Sequence, residues 1–225
     1  MQDLIKQERF EMEVLDKLNS ARLLGNLAFG GGTMLRLCFG LNRFSVDLDF
    51  WIVRDLDRAG LYKNLKECLG GAYTLKDSRN KFYTILLELK SKDFPRSLKI
   101  EVRKEKKDIK TESSIAYSRY ADIQVPVRAV SLDDMMQSKI AAFLDRKEIR
   151  DAFDIEFLLK KGVKLQTSRE TAGRILKVID TLKPNDYAVK LGSLLESDQR
   201  PYYKTANFKV LKMALMEMIN IADSR

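Results

Sequence analysis

Within one short segment, FGGGTMLRLCFGLNRFSVDLDFWIV from Phe29 to Val53, three consecutive glycines precede two aspartates that are one residue apart. In SVDLDFWIV apolar and polar residues alternate as in a strand, so Val46, Leu48 and Phe50 point one way and Asp47 and Asp49 the other. Two carboxylates side by side on one strand face offer hard oxygen ligands, which suit magnesium or manganese shared with water and substrate phosphates. A glycine turn ahead of a helix exposes backbone N–H groups and the positive end of the helix dipole, and both attract phosphate. Together the two features could hold a nucleoside triphosphate and its metal, and in-line phosphoryl-type transfer asks little more of a protein than positioning and charge neutralisation. No Gly-Lys-Ser/Thr follows the glycines and no Gly-x-Gly-x-x-Gly is present at this turn, which sets aside a P-loop and a dinucleotide fingerprint.

The rest of the composition narrows the chemistry further. The 225 residues include no histidine, so any Ser-His or Cys-His nucleophile pair is excluded, together with the commonest transition-metal ligand. Catalysis has to run on carboxylates, lysine or a hard metal ion. Cys38 and Cys68 stand among apolar neighbours without the paired spacing of a zinc site, and read as buried reduced thiols. The net charge of +9 favours polyanionic partners. From Lys90 to Lys110 nine basic residues face four acidic ones, either a nucleic-acid-facing cluster or a solvated strand end. Apolar runs are broken by charge well short of the roughly 20 residues of a membrane span, and MQDLIKQERF has no secretory apolar core, so a soluble cytoplasmic protein is expected.

These residues need elements to position them. LIKQERFEMEVLDKLNSARLLG has helical spacing and a glycine stop at Gly25. NLAF reads as a short strand or turn, Thr33 to Leu41 as a helix, and Leu56 to Leu69 as another. AYTLKDSRNKFYTILLELK and RSLKIEVRKEK read as strands of the same sheet. Past Pro126 the strand signal fades into amphipathic helices, which predicts an α+β protein with a domain over residues 1–125 and a helical one over 126–225. Met213, Met216 and Met218 suggest core or an oligomer seam. Phe10, Tyr62, Tyr73, Phe82, Tyr83, Tyr117, Tyr120, Tyr202 and Tyr203 include candidates for stacking on a base, and the sequence selects none of them.

GGTMLRLCFGLNRFSVDLDF resembles the signature of the polymerase-β-type nucleotidyltransferases, and within that superfamily it is similar to the AbiEii/AbiGii toxins of type IV toxin–antitoxin and abortive-infection systems. Gly31, Gly32, Thr33, Arg43, Ser45, Asp47 and Asp49 fall where that motif expects them. KIAAFLDRKEIRDAFDIEFLL resembles the family's second region, a Lys followed by an Asp-Arg pair and an Arg-Asp-x-x-Asp helix. The resemblance implies a nucleotidyltransferase fold, a mixed β-sheet flanked by helices, with a C-terminal helical domain contributing to the active-site cleft.

The same resemblance implies roles. Asp47 and Asp49 bind the metal, Gly31, Gly32 and Ser45 contact phosphate, and Thr33 opens the following helix. Arg43 pairs with the triphosphate or with an acidic neighbour. The superfamily's third carboxylate, metal ligand or base, falls to Glu101, whose alternative is an ion pair with Lys99 or Arg103. Read as one helix, KIAAFLDRKEIRDAFD lines Lys139, Arg146 and Arg150 on one face toward the sheet, where they could neutralise phosphates while Asp151 and Asp154 orient them. The activity implied is magnesium-dependent transfer of a nucleoside monophosphate from an NTP to RNA, tRNA first, by a toxin whose antitoxin comes from a neighbouring gene. Modification of a protein hydroxyl, kinase-like use of the NTP, and a silent nucleotide- or nucleic-acid-binding module are the alternatives. Oligomeric state is not legible.

Overall fold

The computed structural model describes residues 1–220, which form two units, Met1–Ser131 and a second beginning at Leu132. In the first, the helical spacing of the opening segment becomes α1, Gln2–Ser20, which buries Phe10, Met12, Val14, Leu15 and Leu18. Phe10 stacks on Phe94 at 4.5 Å. The helix stops short of Gly25, and the left-handed backbone that ends it is carried by Arg22, at φ 57, with the Leu23 N–H bonded back to the Leu18 carbonyl.

Seven strands then build one mixed sheet, interleaved with α2, Gly31–Phe39, and α3, Arg58–Gly70. They are β1 Leu27–Gly30, β2 Asp47–Ile52, β3 Thr74–Asn80, β4 Thr84–Lys90, β5 Leu98–Lys106, β6 Thr111–Tyr117 and β7 Gln124–Val130. The order across the sheet is β3-β4-β5-β2-β1-β7-β6. β2 runs parallel to β5 and antiparallel to β1, β1 runs parallel to β7, and the other neighbours are antiparallel. β2 therefore sits near the middle, with paired backbone on both edges, which makes it a rigid place for side chains that must hold position.

Pro126, the expected break point, lies inside β7, and the first unit runs on to Ser131. Proline is tolerated there because its ladder partner is Ile115 of the outermost strand, while the pairing of β7 with β1 is recorded only at Phe29↔Ala129.

The second unit is helical: α4 Leu132–Arg146, α5 Ile149–Lys160, α6 Arg169–Asp180, a π-helical turn at Asp186–Leu191, α7 Arg200–Ala206 and α8 Lys209–Asn220. Phe143, Phe153, Leu158, Ile175, Phe208, Leu211 and Leu215 are buried in its core. Met213 and Met216 instead stand exposed on α8.

Candidate active site

β2 places Leu48 and Phe50 in the core and leaves Asp47 and Asp49 half-buried on the opposite face, as its alternation requires. The sheet register puts Glu101 of β5 directly beside Asp49, and Lys99 beside Asp47. Glu101, between buried Ile100 and Val102, shares the face of the two aspartates. A single cross-strand row thus runs Gly30, Asp49, Glu101, Leu86, Arg79. Among the described residues no group of three or more Asp, Glu, His or Cys side chains comes together tightly enough to hold a metal. Glu101 stands beside Asp49 on the adjacent strand, about 4.8 Å away across the ladder, as a neighbour of the acidic pair.

The glycine bend meets the acidic pair. Gly31 adopts φ +77, and a Cβ there would collide with Oδ2 of Asp49. A Cβ on Gly32 would stand 2.6 Å from Nη2 of Arg43 and 2.9 Å from Oγ of Ser45. Only missing side chains allow the backbone this close to Asp49, Ser45 and Arg43 at once. α2 begins at Gly31, with Gly30 as its extended cap and no side-chain cap, so its first N–H groups and the positive end of its dipole lie at the bend beside Asp49.

Thr33 lies in the first turn of α2, inside the helix, and does not open it. Its buried hydroxyl donates to the Asp47 carbonyl at 2.6 Å, fastening the helix to the start of β2. Arg43 is also buried, 2 % exposed, and Nη1 donates to the Phe44 carbonyl at 2.9 Å, so it shapes the loop from within.

Hard oxygen donors with a glycine cradle beside them fit a divalent cation that completes its shell with water and substrate phosphates. Asp47 and Asp49 are the residues that would hold it. The cavity of about 350 Å³ lined by Arg54, Asp55, Asp57, Arg58 and Lys106 belongs to the other end of β2, past Ile52.

Behind the pair, α1 carries polar residues that the sequence analysis did not single out. Gln7 donates to the carbonyls of Val46 at 3.3 Å and Ser97 at 3.4 Å, tying the helix to the starts of β2 and β5. Glu8 pairs with Arg36 and accepts from the Ser118 hydroxyl at 2.6 Å. Glu11 is fully buried and neither of its carboxyl oxygens has a hydrogen-bond partner. Burial, then the charges of Glu8 and Asp47, push its pKa well above the ordinary carboxylate value, against Arg36 and Arg96. A signal was present: Gln7, Glu8 and Glu11 occupy positions of the same helical stripe as Leu4, Val14, Leu15 and Leu18, where a core residue belongs.

The second sequence motif folds as two helices. Lys147, at φ 55, breaks the chain between α4 and α5, so Lys139, Arg146 and Arg150 do not line one helix face. Lys139 and Arg146 on α4 instead converge on α5. The Lys139 ammonium stands 2.6 Å from Asp154 and 3.5 Å from Asp151, and Arg146 grips Asp151 with two hydrogen bonds of 2.7 Å. Both aspartates are fully buried and Lys139 nearly so. Arg150 lies outside this set of contacts, and its buried Nε has no hydrogen-bond partner. Both cysteines are free and half-buried, more open than expected, and burial pushes the Cys38 thiol up to about 11, where it is unreactive.

The chain is similar in fold to two Helicobacter pylori structures. JHP933 has a TM-score of 0.55 at 21% identity, over 96% of this chain and 97% of that one. A candidate nucleotidyltransferase has a TM-score of 0.53 at 22% identity, over 92% and 97%. No curated protein matches significantly. No helix among the described residues is long and apolar enough to cross a membrane. The family model for "Nucleotidyl transferase AbiEii toxin, Type IV TA system" matches residues 13–209, which span the glycine bend, the acidic pair and the Lys139 cluster alike; the chain belongs to the AbiEii nucleotidyltransferase toxin family.

Proposed function

We propose that this protein transfers a nucleoside monophosphate from an NTP to a hydroxyl of RNA, tRNA foremost, as a toxin restrained by an antitoxin encoded beside it. The observation that carries the reading is the meeting of two halves of one motif: the Gly31 backbone lies against the Asp49 carboxylate, so an anion-binding bend and a cation-binding pair address one point. The amides of Gly31 and Gly32, with the Ser45 hydroxyl, take the phosphate oxygens. Asp47 and Asp49 hold magnesium or manganese, which when bound neutralises the triphosphate and polarises the α-phosphoryl group.

Glu101, on the same face, takes the proton of the attacking hydroxyl. As the new bond from the acceptor oxygen to the α-phosphorus forms, the bond to the bridging oxygen breaks, and its electron pair leaves with pyrophosphate.

Incubation with each radiolabelled NTP, magnesium and total RNA tests this directly. Label in RNA, lost in Asp47→Ala and reduced at least tenfold in Glu101→Gln, is the expected result. Label on protein would reassign the acceptor, and no label with any NTP would refute the transferase reading. Induction of the intact protein without its antitoxin should arrest growth, and Asp47→Ala should not.

A further inference from the structure

Phe82 and Tyr83 are 84 % and 72 % exposed, the two most exposed large apolar side chains among the described residues. They form the tip of the β3–β4 hairpin, where the Lys81 N–H bonds the Thr84 carbonyl at 2.9 Å and leaves just these two residues in the loop. Two-residue hairpin loops favour Asn-Gly or similar pairs, because the turns that match strand twist need positive φ. Neither Phe82 nor Tyr83 has positive φ, so the tip forgoes the favoured turn in order to present two rings. The rings pack edge to face at 4.6 Å and bury little against anything else. The tip is also fixed in place: the Tyr83 carbonyl accepts from the Lys104 N–H at 2.9 Å, and the Lys104 ammonium donates to the Lys81 carbonyl.

Cations surround it. Arg79, exposed and paired with Asp77, and Arg103, exposed on β5 opposite Thr84, flank the tip together with Lys81 and Lys104. The register then leads to the acidic pair. Thr84 lies beside Arg103, and Leu86 beside Glu101 and so Asp49, all on one sheet face. Two residues along and two strands across amount to roughly 12 Å between Asp49 and the base of the tip. Exposed rings at the tip, beside cations of the face that carries the proposed reaction centre, match a ligand that offers planar bases on an anionic backbone.

We propose that the β3–β4 tip is a docking surface for unpaired RNA: bases stack on Phe82 and Tyr83, while Arg79, Lys81 and Arg103 bind the backbone leading toward Asp49. This deepens the transferase reading and, for the direction of the strand, rests on it.

The test uses a fluorescein-labelled, unstructured oligoribonucleotide of about 16 nucleotides and anisotropy at several salt concentrations. Phe82→Ala with Tyr83→Ala should weaken binding at least tenfold with an unchanged salt slope, because stacking is lost and no cation is removed. Phe82→Trp with Tyr83→Trp should restore it, and Arg103→Ala should weaken binding and flatten the slope. Unfolding temperature should hold, since both rings are in solvent. Alanine variants that bind within twofold of the parent, a parent that does not bind, or Trp variants that fail to restore binding would overturn the proposal. If labelled NTP enters RNA equally well with and without the two rings, the docking surface falls and the transferase stands. If binding depends on the rings but no label is transferred, the transferase falls and the surface stands.

Discussion

Each unit carries a cluster of charge built around aspartates, and the two are built on opposite principles. In the first, Asp47 and Asp49 stand half-buried beside backbone that glycine has cleared of side chains. In the second, Asp151 and Asp154 are wholly buried, and Lys139 and Arg146 surround them at 2.6 to 3.5 Å. The first arrangement is half open beside a backbone bend, where a divalent cation could reach it. The second is sealed around its counter-ions, so its removal costs the fold itself. A family motif therefore need not mean one kind of site: its half-open carboxylates suit a ligand, and its sealed ones hold cations in place.

The contrast is broken most severely by Asp47→Ala. Transfer should fall by about a thousandfold or more, because the proposed metal loses one of its two carboxylate ligands. Thermal unfolding should move by less than about 1 kcal/mol, since the Thr33 hydroxyl bonds the backbone of residue 47 and survives the change. Asp151→Ala should show the reverse emphasis. Removing it strands Arg146 and half of the Lys139 cage, which costs about 3–5 kcal/mol and lowers the unfolding temperature on the order of 10 °C. Calorimetry on both variants separates the clusters. Equal stability losses would mean that the two differ in position and not in kind.

Gly31→Ala comes next and has an internal control. Gly31 and Gly40 share φ +77, yet a Cβ at Gly40 meets nothing within 4 Å whereas one at Gly31 strikes Asp49. Both substitutions should cost about 1–2 kcal/mol for the left-handed backbone. Only Gly31→Ala should displace the carboxylate and reduce transfer by on the order of a hundredfold. Assay of the pair at a temperature where both are folded distinguishes a cradle from an ordinary helix-ending glycine.

How far the sequence discloses this depends on what the signal rests on. Alternation alone oriented Asp47, Asp49 and Glu101, because each stands between apolar residues in a strand that is buried on its other face. That Glu101 is level with Asp49 is a matter of register between strands far apart in sequence, which no local pattern contains. β6 escaped notice since it buries only Ala116 and shows no stripe to read. The break between α4 and α5 was invisible for another reason. Asp145, Arg146, Lys147 and Glu148 include neither glycine nor proline, and Lys147 ends α4 in the left-handed region, where glycine is usual, with its N–H bonded back to the Phe143 carbonyl at 3.0 Å. The exposure of Phe82 and Tyr83 is likewise tertiary: NKFYT within an alternating run reads as continued strand until the hairpin is seen.

The smallest expected effect concerns Glu11, which belongs to neither arrangement: it is sealed like Asp151 yet lacks any hydrogen-bond partner. Its folded pKa is raised, by burial first, so the folded protein holds the proton over a range where the unfolded chain has already lost it. The sign follows. Below about pH 4.5 both states are protonated and Glu11 costs nothing by this route, and as pH rises toward the folded pKa stability declines. Glu11→Gln removes that decline, so its unfolding temperature should match the parent's most closely near pH 4.5 and exceed it increasingly above, by on the order of a few °C. Because the charge of Asp47 helps to raise this pKa, the gain from Glu11→Gln should shrink in an Asp47→Ala background, and magnesium with an NTP, by offsetting that same charge, should shrink it too. A gain of the same size with and without Asp47 would show that the buried acid and the proposed metal site do not communicate.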